Sequence, residues 1–121
     1  MIYLASPYSH RDPEIRQKRY EAAVRASARL ASAGIPVYSP IAHSHPIEVA
    51  TGGLIPHTYW MSIDLMVLPV CSKMVVLRLP GWEESKGVAK EIDAAGAAGI
   101  PVIRTDLADV VWAAEAFSET A

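Results

Sequence analysis

The sequence predicts a doubly wound α/β fold, a parallel sheet of about four to five strands with helices flanking it. Short apolar runs next to Gly and Pro, "MIYLA", "IPVYSP", "KMVVLRLP" and "IPVIRT", alternate with longer segments of helical periodicity. The runs are nearly continuous in their hydrophobicity, as strands covered on both faces are. Crossovers between such strands are right-handed, which leaves few topologies.

Each element has its own signals. "MIYLA" opens as a buried strand and "SPYSHRD" follows as a loop. Asp12 and Pro13 supply an N-cap and a first-turn proline for a helix running to about Ala33, where Gly34 stops it. Its inward stripe is Ala22, Ala23, Ala26, Leu30 and Ala33, while Arg16, Lys18, Arg25 and Arg29 mostly face water. "IPVYSP" is the second strand, closed by Pro40. Residues 41–58 hold three histidines, two prolines and a Gly-Gly pair, and read as a long irregular segment of the kind that serves as a lid or binding loop. "YWMSIDLMVL" is helical and carries Asp64. "KMVVLRLP" is the third strand, "SKGVAKEIDAAGAAG" a helix starting near Ser85, and "IPVIRT" the fourth strand. "LADVVWAAEAFSETA" is a final amphipathic helix that frays.

At 121 residues the chain has the length of one domain, 1–121. A net charge of −2 argues against nucleic acid or an anionic membrane as a partner. The single Cys71 excludes an internal disulfide. With no basic leader ahead of an apolar core, and no run of about 20 apolar residues, the expected location is cytoplasmic.

In open α/β sheets ligands sit outside the carboxyl ends of the strands. That edge gathers "SPYSHR", "SPIAHSH" and "PGWEESKG". The Ser85 hydroxyl and the N–H groups of Lys86, Gly87 and Val88 point to one place, which suits an anion or a plain serine cap. On a helical wheel Val88, Ile92 and Ala95 face the sheet, with Lys86, Lys90 and Asp93 opposite. Glu91 lies about 60° from Val88 at the edge of that stripe. It is either a working carboxylate or a flank glutamate reaching solvent. Asp64 is likewise a site acid or an exposed helix acid. His43, His45 and His57 have partial metal-ligand spacing but only Glu48 as a nearby acid, so lid contacts or plain loop residues are the other readings. Trp60 and Trp82 suit either stacking on a base or packing. Cys71 is read as structural.

"IYLASPYS", then "SKGVAKEI" followed by "AAGIPVI", resembles the nucleoside 2-deoxyribosyltransferase superfamily. The local pattern of Ser85, Gly87 and Glu91 is nearest the 2'-deoxynucleoside 5'-monophosphate N-glycosidase branch. "PYSH", "SHPI" and "LPGWEES" also resemble a group of short, uncharacterised bacterial and phage proteins in that superfamily. The resemblance implies a flavodoxin- or Rossmann-like domain that cleaves or transfers at the N-glycosidic bond of a (deoxy)nucleotide 5'-monophosphate. It implies Glu91 as nucleophile, Asp64 as assisting acid, Tyr3 as the aromatic that positions the carboxylate, and Ser85 and Gly87 at the 5'-phosphate. Ser6 and Pro7 stand where the family often has glycine, and Ser9, His10 and Arg11 are the groups available to replace that loop. His45 is the expected lid contact. No metal or cofactor is implied. A homo-oligomer is expected, both because the family completes its sites across subunits and because "YWMSIDLMVLPV" and the final helix are so apolar. A non-catalytic nucleotide-binding module on the same fold is the alternative.

Overall fold

A computed structural model describes residues 1–120, with side chains through Ala116. Four parallel strands, β1 (Ile2–Ala5), β2 (Val37–Tyr38), β3 (Lys73–Leu77) and β4 (Val102–Thr105), form one sheet in the order β2-β1-β3-β4. Five helices accompany them: α1 (Pro13–Ser32), α2 (Pro40–Thr51), α3 (His57–Val67), α4 (Lys86–Ala97) and α5 (Val110–Thr120). The fold is the doubly wound α/β class. The chain winds outward in opposite directions from β1 and β3, so the topological switch point lies between those two strands.

The pleat sorts the core into two layers. Ile2, Leu4, Val75 and Leu77 meet Ala26 and Leu30 of α1 and Val110 and Ala113 of α5. Tyr3, Ala5, Met74 and Val76 meet Val88 and Ala95 of α4, with Leu68 and Cys71 from the turn after α3. The Lys73 ammonium donates to the Ala114 carbonyl at 2.7 Å and ties α5 to the sheet.

α1 begins as expected, with Asp12 accepting from the Glu14 N–H at 2.9 Å. Its stripe ends one residue early. Ala33 is exposed because it occupies the C-cap, where the backbone has left the helix. The larger departure is residues 41–58, expected as an irregular loop. Most of the stretch is α2, capped by Ser39 Oγ accepting from the Ala42 N–H at 3.1 Å and ended by Gly52 at φ 67°. Pro46 lies inside that helix and removes the bond to the Ala42 carbonyl, a loss of about 3 kcal/mol in an isolated helix. Tertiary contact outweighs it. His45, buried beside Pro46, stacks on Tyr20 of α1 with ring centroids 4.3 Å apart and bonds to Gln17 at 2.9 Å.

The loops after β1 and β3 are joined by Arg19 of α1. Its guanidinium donates to the carbonyls of Ser9 at 3.0 Å and Pro80 at 3.1 Å. Gly81 makes room for it, since a Cβ there would stand 2.5 Å from Arg19 Nη2, and its φ of +90° is one that L side chains rarely adopt. Gly81→Ala is expected to lower unfolding stability by about 1–3 kcal/mol in urea titration. A midpoint equal to the parent's would show that Arg19 does not hold the two loops together.

Candidate functional site

The carboxyl ends of the strands open into a cleft of about 770 Å³, walled by the loop after β1, by α2 and α3, and by the start of α4. Four side chains give it chemical character. Glu91 of α4 is only 7% exposed, deeper than a flank position, and its Oε2 accepts a hydrogen bond from the hydroxyl of the fully buried Tyr3. Asp64 of α3 accepts from the Tyr38 hydroxyl at 3.1 Å. Tyr3 and Tyr38 are register partners on adjacent strands, with ring centroids 5.8 Å apart. The sheet thus holds two tyrosine–carboxyl pairs side by side, and both carboxyls line the cleft.

Burial sets the electrostatics. It pushes the Glu91 carboxyl up to about 8; the Tyr3 bond pulls the other way and the Asp64 charge adds to the rise. Asp64 is raised by burial too, against the pull of Tyr38, His43 and His57. Both tyrosine hydroxyls are held above their ordinary range by burial first and by the carboxylates second, so they remain donors.

Nearer the start of the same helix, Ser85 lines the cleft and caps α4 by accepting from the Val88 N–H at 3.2 Å. Gly87 presents open space: the nearest atom to a Cβ built there is Ser85 Oγ, at 3.9 Å. A ligand can therefore come close to the backbone N–H groups of this turn. Ser9, His10, Lys86 and Lys90 line the same cleft. So does Ser6, whose buried hydroxyl has no hydrogen-bond partner. An unpaired buried hydroxyl facing a cleft suits a polar ligand.

Two expected contacts are not brought there. Arg11 is exposed and does not line the cleft. His45 turns to α1, with its Nδ1 2.7 Å from the Tyr8 hydroxyl, and burial lowers its pKa. Its ring nitrogens are both engaged, so it holds α2 in place instead of reaching a ligand. His43 instead lies edge-on to Trp60 at 5.9 Å, so the H-x-H pair is split between two tasks. Trp82 packs beneath Arg104 against the core, whereas Trp60 lines the cleft. Tyr38, Arg19 and Glu48 also belong to the site or its frame and were missed. The signal for Tyr38 was present, because "YLASP" and "YSP" end two neighbouring strands alike.

The model of a family described as a domain of unknown function, DUF1937, matches residues 1–106. The chain belongs to that family. The matched span includes all four strands and every cleft residue named above. No curated protein matches the chain. Among the described residues no helix is long and apolar enough to cross a membrane, and no group of three or more His, Cys, Asp or Glu is placed to hold a metal ion.

The elevated Glu91 carboxyl has a consequence for stability. Its folded value of about 8 stands above the ordinary 4.5, so between those values the folded chain binds more protons than the unfolded one. Stability therefore falls as pH rises across that window and levels off above it, by an amount on the order of a few kcal/mol. Glu91→Gln is expected to remove this component, giving a smaller loss of urea stability between pH 5 and pH 9 than the parent shows. Identical losses would mean that the carboxyl is not held neutral.

Proposed function

We propose that the protein breaks the N-glycosidic bond of a nucleoside 5'-monophosphate, with Glu91 as the nucleophile and Asp64 as the proton donor. The observation that carries this reading is the Glu91 carboxyl, buried against Tyr3 in a cleft that the N-terminus of its own helix also lines. The phosphate would sit at the Ser85–Gly87 turn, near Lys86 and Lys90, where N–H groups and the helix dipole favour an anion. Binding there supplies energy remote from the reacting carbon.

The tyrosine bond occupies Oε2 and leaves Oε1 for chemistry. In the step proposed, ionised Glu91 attacks C1' and the C1'–N bond breaks. Its electron pair goes to the base nitrogen, which takes the proton from Asp64. Water then attacks C1' of the glycosyl ester, Glu91 leaves with its bonding pair, and the water proton returns to Asp64. If a second base attacks instead of water, the same two steps amount to transfer. The Asp64 charge adds to the rise of the Glu91 carboxyl, so a proton on Asp64 eases the ionisation of Glu91. Burial by itself favours a neutral Glu91. Positive charge developing on the sugar favours the arrangement with the proton on Asp64.

A second reading, a nucleotide-binding module without turnover, is favoured by one fact. A carboxyl held up to about 8 is largely protonated at neutral pH and then acts as a donor. Base release separates the two readings. Incubation with a panel of nucleoside monophosphates, followed by chromatography, is expected to show free base. Glu91→Gln should cut the rate by on the order of 10³-fold, about 4 kcal/mol of barrier. A variant releasing base near the parent rate would remove the mechanism, and binding with no release from any nucleotide would leave the module.

The reading also includes a homo-oligomer. α3 has no buried residue, and its Tyr59, Leu65 and Met66 are 51%, 46% and 74% exposed. Val70, just beyond, is 71% exposed. A second copy covering this face would bury apolar surface beside the cleft. Sedimentation at micromolar concentration is expected to give at least a dimer, and a monomer would count against it.

A further inference from the structure

The wall that α2 and α3 give the cleft differs from the phosphate end. Ile41, Ile55, Met61 and Trp60 make it apolar, and besides Asp64 it carries one carboxylate, Glu48. Glu48 does not simply reach solvent. Its Oε1 accepts from the indole N–H of Trp60, an interaction between two half-buried residues on different helices. Trp60 is further fixed by edge-on contacts with Tyr59 at 4.9 Å and His43 at 5.9 Å.

The placement along α3 matters. Trp60 lies four residues before Asp64, so both share one face of the helix, about 6 Å apart along its axis. Asp64 in turn is bonded to Tyr38 on the edge strand β2, while Glu91 is bonded to Tyr3 on β1. Glu91, Asp64, Trp60 and Glu48 line the one cleft, with Trp60 and its partner Glu48 one helical turn from Asp64. A nucleotide whose sugar lies at the two acids and whose phosphate lies at α4 must extend its base toward that wall.

We propose that Glu48, oriented by Trp60, reads the outer edge of the base and selects one presenting N–H donors, as the adjacent N1–H and N2–H groups of guanine do. This rests on the nucleotide reading above. A carboxylate only accepts hydrogen bonds, and each of its oxygens has two lone pairs, so with Oε1 holding the indole N–H both oxygens still have an acceptor position for the base. Two parallel N–H bonds to one carboxylate are strong and directional. An adenine edge offers one donor, and its N1 lone pair faces the carboxylate and is repelled. The apolar side chains around the pair suit the flat faces of a base.

Calorimetry on the full chain with guanosine, inosine and adenosine 5'-monophosphate tests this at equilibrium, without requiring turnover. The expected affinities fall in the order guanosine, inosine, adenosine, the first exceeding the last by roughly 10–100-fold. Glu48→Gln is expected to bring the ratio to within a few-fold. Trp60→Phe keeps the carboxylate and loses its anchor, so the ratio should shrink while binding persists. Equal affinities in the parent, or an unchanged ratio in both variants, would overturn the proposal and leave the nucleotide reading intact. No binding of any of the three would overturn both.

Discussion

The contact between Tyr3 and Glu91 joins residues 88 positions apart and lies at the switch point of the sheet. Burying a carboxyl without a partner costs several kcal/mol, so a glutamate on the sheet-facing side of α4 requires a donor within reach. The face of β1 toward α4 carries Tyr3 and Ala5, and of the two only Tyr3 has a donor. The pleat therefore fixes which residue holds the carboxyl. The parallel register then places Tyr38 beside Tyr3, and Asp64 reaches the second hydroxyl. One strand alternation sets the position of both acids.

What surrounds the pair is arranged by charge. The acids lie against the buried Tyr3 and the half-buried Tyr38, where desolvation favours their neutral forms. Lys86 and the capped start of α4 line the same cleft more than a helical turn before Glu91, where an anion is favoured. In the nucleotide reading proposed above, the phosphate takes the start of α4 and the sugar takes the two acids, since an anion is repelled by either carboxyl once it ionises. Gly87 takes part by leaving its side of the helix open, while Gly81 serves the frame by leaving room for Arg19.

The strands, α1 and α4 were legible because their signals are local. Asp12–Pro13 and Ser85 cap helices in the ordinary way, and the apolar runs between Gly and Pro leave little choice. Glu91 and Asp64 were legible as candidates from spacing. The depth of Glu91 was not, because a wheel gives direction and not the height of the neighbouring wall. α2 was misread for a non-local reason. Pro46 and the Gly-Gly pair carry the local signs of a loop, and the contacts that override them come from Tyr8, Gln17 and Tyr20, 25 or more positions away in the sequence for each ring or amide that His45 meets. The Trp60–Glu48 bond was out of reach for the same reason, since it depends on where two helices meet.

Because α2 is a helix anchored through His45, the cleft has a helical wall where an irregular segment, a lid or binding loop, was expected. A fixed wall changes how selectivity can arise. A closing loop can adapt to whichever base enters and exclude water afterwards, at the cost of ordering the loop on each binding event. A helix held by stacking and two hydrogen bonds presents Glu48 and Ser44 in place before the ligand arrives, and loses little freedom when it binds. Discrimination must then come from the match between preset groups and the ligand edge. Exclusion of water from the acids must come from the ligand itself or from a surface laid over the exposed side of α3. In the assembly proposed above, that surface is a second copy. The apolar residues of α3 and the fixed wall of α2 are in this sense one design: the chain gives up a mobile lid and leaves an uncovered face beside its cleft.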